Sequence, residues 1–427
     1  MTTLDDATHR PAVRIPFPVV DEVARHCLQD EEPETVHIEV HLPGPLDPPR
    51  LRKAFTEALR RHPRILMREA PGPWYRRRYE WELTQEPDVE VVTFPAPGRD
   101  ALRDARTRAL TEAPPLALSP PIRLEVVRTA NGAVLFLTIN HTALDGPACL
   151  RVLATAAEIY GGKDNSPAAP PLRTAEAEAP TEAAPSNWTP PARVAPGTPD
   201  PSPGNGMLVA DLPLPHRPKG APYTVNDQLM VTTALTLAHW NREHGTRPRP
   251  LRITMPVDDR PRDTTMPIGN GTRLVEVPFA PDELTTHDMP ALLRRTARRT
   301  RALKSLPRPQ LGHGAALLTA PVLPVPWRAA LTRALRRAAA PWTSTTLLSN
   351  IGRIPYPLDF GEEAGRAHAV WFSAPARMPR GLTVTTASTA GRLHLALRWS
   401  RTLLGPGDGA HLRDLFEHYL HTTEVTR

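Results

Sequence analysis

The chain is poor in the residues that mark several large classes of protein. Only two cysteines, Cys27 and Cys149, occur among its 427 residues, so neither a disulfide framework nor a thiolate metal site is expected. Aromatic residues make up 5% of the sequence and do not form the base-stacking platforms of single-strand nucleic-acid binders. No apolar run of about 18 residues is present. We therefore expect neither nucleic acid as a partner nor a membrane span.

Sequence motifs of several familiar catalytic sites are also missing. The sequence contains no G-x-S-x-G nucleophile elbow, no Walker-type phosphate loop, no H-E-x-x-H and no C-x-x-C. Neither a bound metal nor a bound cofactor is expected. Residues 1–10 lack the pattern of a signal peptide, which predicts a cytoplasmic protein.

Length and composition predict a two-domain globular protein. A chain of 427 residues with 40% hydrophobic and 23% charged side chains exceeds the size of one ordinary core. The range 161–206 holds 11 prolines and reads as an extended, exposed linker. We therefore predict one lobe over residues 1–160, the linker, and a second lobe over 207–427.

Hydrophobic periodicity predicts mixed helices and strands in both lobes. In the first lobe it indicates a strand over 35–42, a helix from Asp47 to His62, and a hairpin that leads into a helix over 147–160. In the second lobe it indicates a helix from Thr224 to Gly245 and a strand over 251–257. A basic helix over 292–304 and a C-terminal strand and helix follow, and the basic face is interpreted as solvated.

The segment from Asn140 to Gly146 holds the candidate catalytic residue. Its sequence, H-x-x-x-D-G, places His141 between a buried strand and a helix. An imidazole can take a proton from a hydroxyl or amine near neutral pH and return it to a leaving thiolate, which thioester acyl transfer requires. The alternative on local sequence alone is that His141 is a polar strand end and that Asp145 and Gly146 only turn the chain.

The His141 motif does not stand alone, because further segments before and after it occur in the order expected of one superfamily. The chain resembles chloramphenicol acetyltransferase, condensation domains of nonribosomal peptide synthetases, wax ester synthases and alcohol acyltransferases, and it is nearest to the bacterial alcohol acyltransferases or condensation-like proteins. The segments that carry this resemblance over nearly the whole length are Leu42–Asp47, Arg61–Pro63, Pro121–Leu124, Val225–Asp227, Met255–Arg260, Gly269–Gly271, Ser349–Gly352 and Leu358–Gly361.

The resemblance implies a fold and a set of roles. It implies an α/β fold of two chloramphenicol acetyltransferase-like sandwich lobes, a pseudo-dimer with a channel at the interface. It makes His141 the catalytic base and Asp145 a structural partner of Arg260. A side chain at position 146 would project into the space where thioester and acceptor meet, so Gly146 is expected to keep that space open and to support the oxyanion with its amide. Asn140, Ser349 and Asn350 are candidates for lining the substrate channel. Asn140 stands where condensation domains carry a first histidine, which departs from the pattern of that group.

The resemblance also implies the chemistry and the partners. The expected function is acyl transfer from acyl-coenzyme A or from a phosphopantetheinyl carrier protein to a small-molecule hydroxyl or amine, in lipid or natural-product biosynthesis. The net charge of +7 and pI near 9.8 suit either phosphate-bearing donor or an acidic carrier protein. The alternatives are a free-standing, amide-forming condensation protein and a non-catalytic relic that binds a carrier or ligand. A monomer is expected.

Overall fold

The computed structural model describes residues 13–29, 31–130, 132–162, 189–261, 266–305 and 315–424. The helices in these residues, α1 to α10 in chain order, are Val19–His26, Pro48–Arg61, Ala101–Thr111, Gly146–Gly161, Val225–Glu243, Met289–Ser305, Ala315–Thr319, Val325–Ala338, Gly361–Ala364 and Pro406–Thr422. The strands, β1 to β14, are Val13–Pro16, Thr35–Leu42, Met67–Glu69, Glu80–Leu83, Val92–Thr93, Ile122–Thr129, Gly132–Asn140, Asn205–Pro213, Leu251–Asp258, Thr272–Phe279, Thr346–Arg353, Ala369–Ser373, Leu382–Thr389 and Arg392–Ser400. The predicted α/β class is confirmed.

The strands form three sheets with separate roles. A small sheet has the order β1-β4-β3, a five-stranded sheet has the order β12-β2-β7-β6-β5, and a six-stranded sheet has the order β10-β9-β11-β13-β14-β8. In the five-stranded sheet β7 runs antiparallel to β2, with Asn140 opposite Thr35. The end of β7, from which His141 follows, is therefore fixed against the beginning of β2.

The first lobe is a sandwich around the five-stranded sheet. Helices α2 and α4 pack together and bury apolar side chains such as Phe55 and Leu153 in the main core of this lobe. Helix α3 lies on the opposite face, where Ala105 joins a smaller apolar cluster with Phe136. Asp47 caps α2 by accepting a hydrogen bond from the amide of Arg50 at 2.7 Å, as the sequence predicted.

The second lobe repeats this arrangement around the six-stranded sheet. Helices α5, α6 and α10 supply the apolar side chains of a second core. Hairpin β13–β14 leads through a three-residue turn into α10, just as hairpin β6–β7 leads through a turn into α4. Arg401 in the second lobe thus stands where His141 stands in the first. The predicted architecture of two chloramphenicol acetyltransferase-like lobes is confirmed.

The second lobe donates one strand to the sheet of the first lobe, which the sequence did not predict. Strand β12 lies within the predicted second lobe, yet it pairs antiparallel with β2 of the first sheet, with Phe372 opposite Ile38. Val370 and Phe372 are buried in the first core. A domain boundary placed by composition alone misses this strand donation, because the sequence of β12 does not indicate which sheet it joins.

The predicted linker is not exposed along its whole length. Ala192, Val194 and Ala195 are buried in the second core, and the amide of Ala192 donates to the carbonyl oxygen of Pro250 at 2.8 Å. The expectation of exposure is therefore wrong for these residues, because prolines remove backbone donors without preventing small apolar side chains from packing. Residues 163–188 of the predicted linker lie outside the described residues.

The basic helix α6 is only partly a solvated face. Arg294, Arg298 and Arg301 are exposed, as predicted. Arg299 instead pairs with Glu283 at 3.0 Å. The leucines and alanines of the opposite face of α6 lie in the second core. None of the helices in the described part of the chain is long and apolar enough to cross a membrane.

Candidate active site

His141 is held so that one ring nitrogen keeps a free lone pair. Its backbone amide donates to the carbonyl oxygen of Glu34 at 2.8 Å. This bond anchors the turn after β7 to the residue immediately before β2, the neighbouring strand. Its Nδ1 lies 3.0 Å from the carbonyl oxygen of Leu144. A carbonyl oxygen can only accept, so Nδ1 carries the proton in the neutral ring and Nε2 keeps its lone pair. That is the tautomer a general base needs.

Asp145 is fully occupied by partners other than His141. Its Oδ1 accepts from the amide of Ala148 at 3.0 Å and so caps helix α4. Its Oδ2 accepts from Arg260 Nη2 at 2.6 Å and from the amide of Gly271 at 2.9 Å. Each of these bonds comes from a different element, so the carboxylate fixes the start of α4 against the second lobe. Asp145 thus pairs with Arg260, as expected, and makes no hydrogen bond to His141.

Arg260 is the other half of this contact between the lobes. Its guanidinium also donates to both carboxylate oxygens of Asp258 at 2.8 Å and to the carbonyl oxygens of Pro267 and Gly269. Burial acts to lower the pKa of Arg260, but hydrogen bonds and charges from Asp258 and Asp145 outweigh it and raise this pKa above its usual value. The Arg260 side chain therefore stays charged, and each of its three nitrogens donates a hydrogen bond.

The Gly269–Gly271 segment packs against the side chain of Arg260. A β-carbon on Gly271 would overlap the guanidinium of Arg260, so only glycine leaves Arg260 its position. Gly269 has a φ of +140°, a conformation that other residues rarely adopt. The glycines of this motif thus have steric reasons to be glycine, and Asn270 between them is free to make a separate contact.

Asn270 ties α1 to the turn that carries His141. Its Nδ2 donates to the main-chain oxygens of His141 and Thr142, at 3.2 and 3.0 Å, and to Asp21 Oδ1 at 2.9 Å. Asp21 is buried and also accepts from Trp81 Nε1 at 2.9 Å. Burial raises the pKa of Asp21 to about 6, against the lowering effect of these hydrogen bonds. Sequence reasoning missed Asp21, which carries no motif.

Gly146 begins α4 and lines the same cavity as His141. A β-carbon at this position would lie 3.3 Å from Cδ1 of Phe372 and 3.6 Å from Cγ1 of Val36. The sequence predicted that a side chain here would point into the reaction space. Instead it would press on two apolar residues of the cavity wall, which restricts the position to very small residues.

Three residues were expected to line a channel, and the structure separates them. Ser349 and Asn350 line the cavity, and Asn350 also accepts turn hydrogen bonds from Gly352 N and Thr386 Oγ1, at 2.9 and 3.1 Å. Asn140 is buried and does not line the cavity. The expectation is wrong for Asn140, because its amide is used internally, donating to Pro114 O and accepting from Thr142 N.

A cavity of about 450 Å³ extends from His141 into the space between the lobes. The first lobe contributes His141, Gly146 and Leu150 among others. The second lobe contributes apolar and amide side chains, such as Met255, Leu274 and Asn350, and the basic side chains of Lys304, Arg336, Arg377 and Arg380. Its volume and mixed lining suit a small organic ligand. The described residues contain no group of three or more histidine, cysteine or carboxylate side chains that could hold a metal ion.

Comparison with known proteins gives relatives without an assigned function and solved structures with one fold. No family model matches the chain. The uncharacterized protein Rv2305 of Mycobacterium tuberculosis strain H37Rv is 29% identical over 382 residues, which cover 81% of this chain and 84% of the relative. The condensation domain of the Monacolin K polyketide synthase MokA superposes with a TM-score of 0.64 at 12% identity, covering 96% of this chain and 97% of the other.

Two further structures are similar over the same length. The trichothecene 15-O-acetyltransferase TRI3 of Fusarium sporotrichioides gives a TM-score of 0.66 at 11% identity, with 97% of this chain and 95% of the other covered. The first condensation domain of the CDA synthetase gives 0.61 at 14% identity, with 97% of each chain covered. The chain has the fold of condensation domains and chloramphenicol acetyltransferase-like acyltransferases. Identities this low establish the fold alone.

Proposed function

We propose that the protein is an acyltransferase that moves an acyl group from a phosphopantetheine thioester to a hydroxyl or amine. The observation that carries this proposal is the state of His141, whose Nδ1 is bound to Leu144 O at 3.0 Å while the residue lines the cavity between the lobes. The available Nε2 lone pair gives the cavity a base for the proton transfers of acyl transfer. Acyltransferases and condensation domains with this fold support the same function.

In the proposed reaction one histidine serves both half-steps. Nε2 of His141 takes the proton from the hydroxyl or amine of the acceptor. The oxygen or nitrogen of the acceptor then attacks the carbonyl carbon of the thioester. The carbonyl oxygen then carries a negative charge, which in this proposal is stabilised by the amide of Gly146 at the start of α4. Collapse of this intermediate breaks the carbon–sulfur bond, and the departing thiolate takes the proton back from His141.

The donor in this proposal is acyl-coenzyme A or an acyl chain on a carrier protein. Both present the same phosphopantetheine thioester, and the chain's net charge of +7 suits either. An amide-forming condensation reaction is the second candidate, because two of the solved structures with this fold are condensation domains. The two candidates differ in the acceptor, which is a hydroxyl in the first and an amine in the second.

The test is release of free thiol from a panel of thioesters. Purified protein is incubated with acyl-coenzyme A or acylated carrier protein, and with paired acceptors that differ only in carrying a hydroxyl or an amine. We expect thiol release that depends on the acceptor, with the product confirmed by mass. His141→Ala should lose a factor of 10² to 10⁴ in rate, whereas the control His421→Ala, at an exposed site, should not. Equal turnover by His141→Ala would reject the mechanism.

A further inference from the structure

Arg380 lies in the wall of the cavity with one end of its guanidinium unused. It belongs to the segment between β12 and β13 and lines the same cavity as His141. Its Nε and Nη2 donate to Ser344 Oγ at 3.2 and 3.0 Å, and Nη2 also lies 3.5 Å from Thr254 Oγ1. Its Nη1 makes no hydrogen bond to the described residues, yet it is not sealed from solvent. Protein hydroxyls thus hold this arginine and leave Nη1 available.

No carboxylate among the described residues forms an ion pair with Arg380. The two acids whose charges raise the pKa of Arg380, Glu276 and Glu34, are already paired with other arginines. Glu276 binds Arg252 at 3.2 Å, and Glu34 binds Arg377 at 2.6 Å. Arg336, which also lines the cavity, adds a further positive charge that acts on Arg380. This end of the cavity therefore has an excess of positive charge.

Arg380 is half-buried in the cavity wall, and its guanidinium has only neutral hydroxyl partners among the described residues. Burial lowers the pKa of this guanidinium to about 10, so the side chain is still charged at neutral pH. A buried charge is normally paired or surrounded by several acceptors. Arg398 is an example of a buried arginine that is surrounded by acceptors. Burial also lowers its pKa to about 10, but its guanidinium donates to Asn205 Oδ1, to the carbonyl oxygens of Pro33 and Thr35, and to Thr35 Oγ1. Arg380 lacks such saturation.

We propose that Arg380, with Arg336 beside it, is a binding site for an oxyanion of the substrate, either a phosphate or a carboxylate. A planar guanidinium that lines a cavity and has an unoccupied, accessible Nη1 is suited to charge-assisted hydrogen bonds with both groups. The inference rests on the proposed function for the identity of the substrate, but the site itself is defined by residues other than His141. The anion has two possible sources, the phosphate of the phosphopantetheine arm and a carboxylate on the acceptor or acyl group.

Binding measurements test the site without requiring turnover. The probes are coenzyme A, uncharged pantetheine, inorganic phosphate and succinate, titrated by calorimetry into the full chain and into Arg380→Met. We expect at least one anionic probe to bind Arg380→Met at least about tenfold more weakly, the loss typical of a charge-assisted contact. Unchanged affinity for every probe, or no anion binding by the unaltered protein, would overturn the proposal.

Two further variants separate a binding role from a structural one. Arg380→Met removes an unpaired charge, so we expect the melting temperature without ligand to be unchanged or raised. The matched control Arg398→Met removes a saturated arginine that does not line the cavity, and it should lower the melting temperature without a selective loss of anion binding. Arg380→Lys keeps a charge and should recover part of the affinity. A lowered melting temperature for Arg380→Met with unchanged anion binding would make Arg380 structural.

The pattern across the probes identifies the source of the anion. Weaker binding of coenzyme A with unchanged binding of pantetheine assigns Arg380 to the donor phosphate. Weaker binding of succinate with unchanged binding of coenzyme A assigns it to a substrate carboxylate. Because calorimetry needs no reaction, the anion site stands if Arg380→Met loses affinity while no thioester and acceptor pair turns over; in that case only the proposed acyl transfer fails.

Discussion

Asn270 donates a hydrogen bond from Nδ2 to the backbone carbonyl oxygen of His141 across 3.2 Å. The same nitrogen reaches Thr142 O and Asp21 Oδ1, at 3.0 and 2.9 Å. A residue of the second lobe therefore holds both the turn that orients the candidate base and the helix that borders it. The position of His141 depends on the interface between the lobes as well as on its own strand.

We predict that Asn270→Asp impairs activity more than Asn270→Ala. Alanine removes the donor, whereas an aspartate would place acceptors against two carbonyl oxygens and the carboxyl group of Asp21, a repulsive arrangement. We expect kcat to fall about tenfold for the alanine variant and further for the aspartate, with a smaller change in KM. The control Asn241→Ala removes a buried amide that binds Ala195 N and Arg193 O far from the cavity. It should lower the melting temperature and spare kcat; the reverse order of the two Asn270 variants would contradict the assigned contact.

We predict strong coupling between Asp145 and Arg260 in a double-mutant cycle. Asp145→Ala leaves Arg260 with Asp258 as its carboxylate partner, and Arg260→Ala leaves Asp145 with two backbone amides. Each single variant should therefore cost up to about 3 to 5 kcal/mol of unfolding free energy, the range for breaking a buried pair. The double variant should cost less than the sum of the single variants, with a coupling of roughly 1 to 3 kcal/mol. The exposed pair Arg392 and Asp211, at 2.9 Å, is the control and should couple by less than about 1 kcal/mol. Additive costs for the buried pair would show that the lobes are held by other contacts.

We predict that Gly271→Ala disrupts the site although it adds one methyl group. The new β-carbon would overlap the guanidinium of Arg260, so the ion pair with Asp145 has to open or the loop has to move. Activity should fall at least tenfold, with a cost of about 1 to 3 kcal/mol in stability. Gly98→Ala is the control, because a β-carbon there meets nothing within 4 Å. Equal activity of both variants would mean that Arg260 is mobile at this contact.

The sequence predicts the elements of this site better than its contacts. The cap at Asp47, the strand before His141 and the helix after Gly146 follow from periodicity and local hydrogen bonding, which depend on neighbouring residues only. The pairing of β12 with β2 and the position of Asp21 depend on residues more than 100 positions apart in the chain. Asn140 was misplaced because the fold brings to it the carbonyl oxygen of Pro114, which lies 26 positions earlier and outside the local pattern around His141.

Two buried histidines and the half-buried His62 predict that stability falls as the pH drops below about 6.5. Burial lowers the pKa of His26, His37 and His62 to about 4, 3 and 4. Below pH 6.5 the unfolded chain gains protons that the folded chain does not take up, so unfolding is favoured until the folded pKa values are reached. At pH 5 each such histidine costs up to about 2 kcal/mol.

The measurement is urea denaturation at pH 7.5, 6 and 5 for the unaltered chain and for His62→Gln. The unaltered chain should lose more stability than the variant as the pH falls, and parallel losses would contradict the prediction. Asp21 acts in the opposite direction. Its pKa is raised to about 6 in the folded chain, so its contribution falls as the pH rises from about 4 to 6. Comparison within one variant pair cancels this background.

The last prediction is that a cut in the proline-rich range before residue 189 leaves the two lobes in one particle. The sequence predicts that 163–188 is accessible, since its prolines disfavour helix and central strand. From Ala192 onward the chain is anchored in the second core. A specific protease site inserted near residue 175 should therefore be cleaved, while the buried segment from 191 to 195 should resist a general protease.

The two fragments should co-elute because the second lobe donates a strand to the sheet of the first. After the cut, the C-terminal fragment still supplies β12 to the sheet of the N-terminal fragment, with Phe372 opposite Ile38, and Arg260 still binds Asp145. Separation would break a strand pairing, expose Val370 and Phe372 of the first core, and leave a buried carboxylate unpaired. Size exclusion after complete cleavage should give one peak at the mass of the intact chain, with activity retained. Two peaks, with the proposed activity in one of them, would rule out an active site built between the lobes.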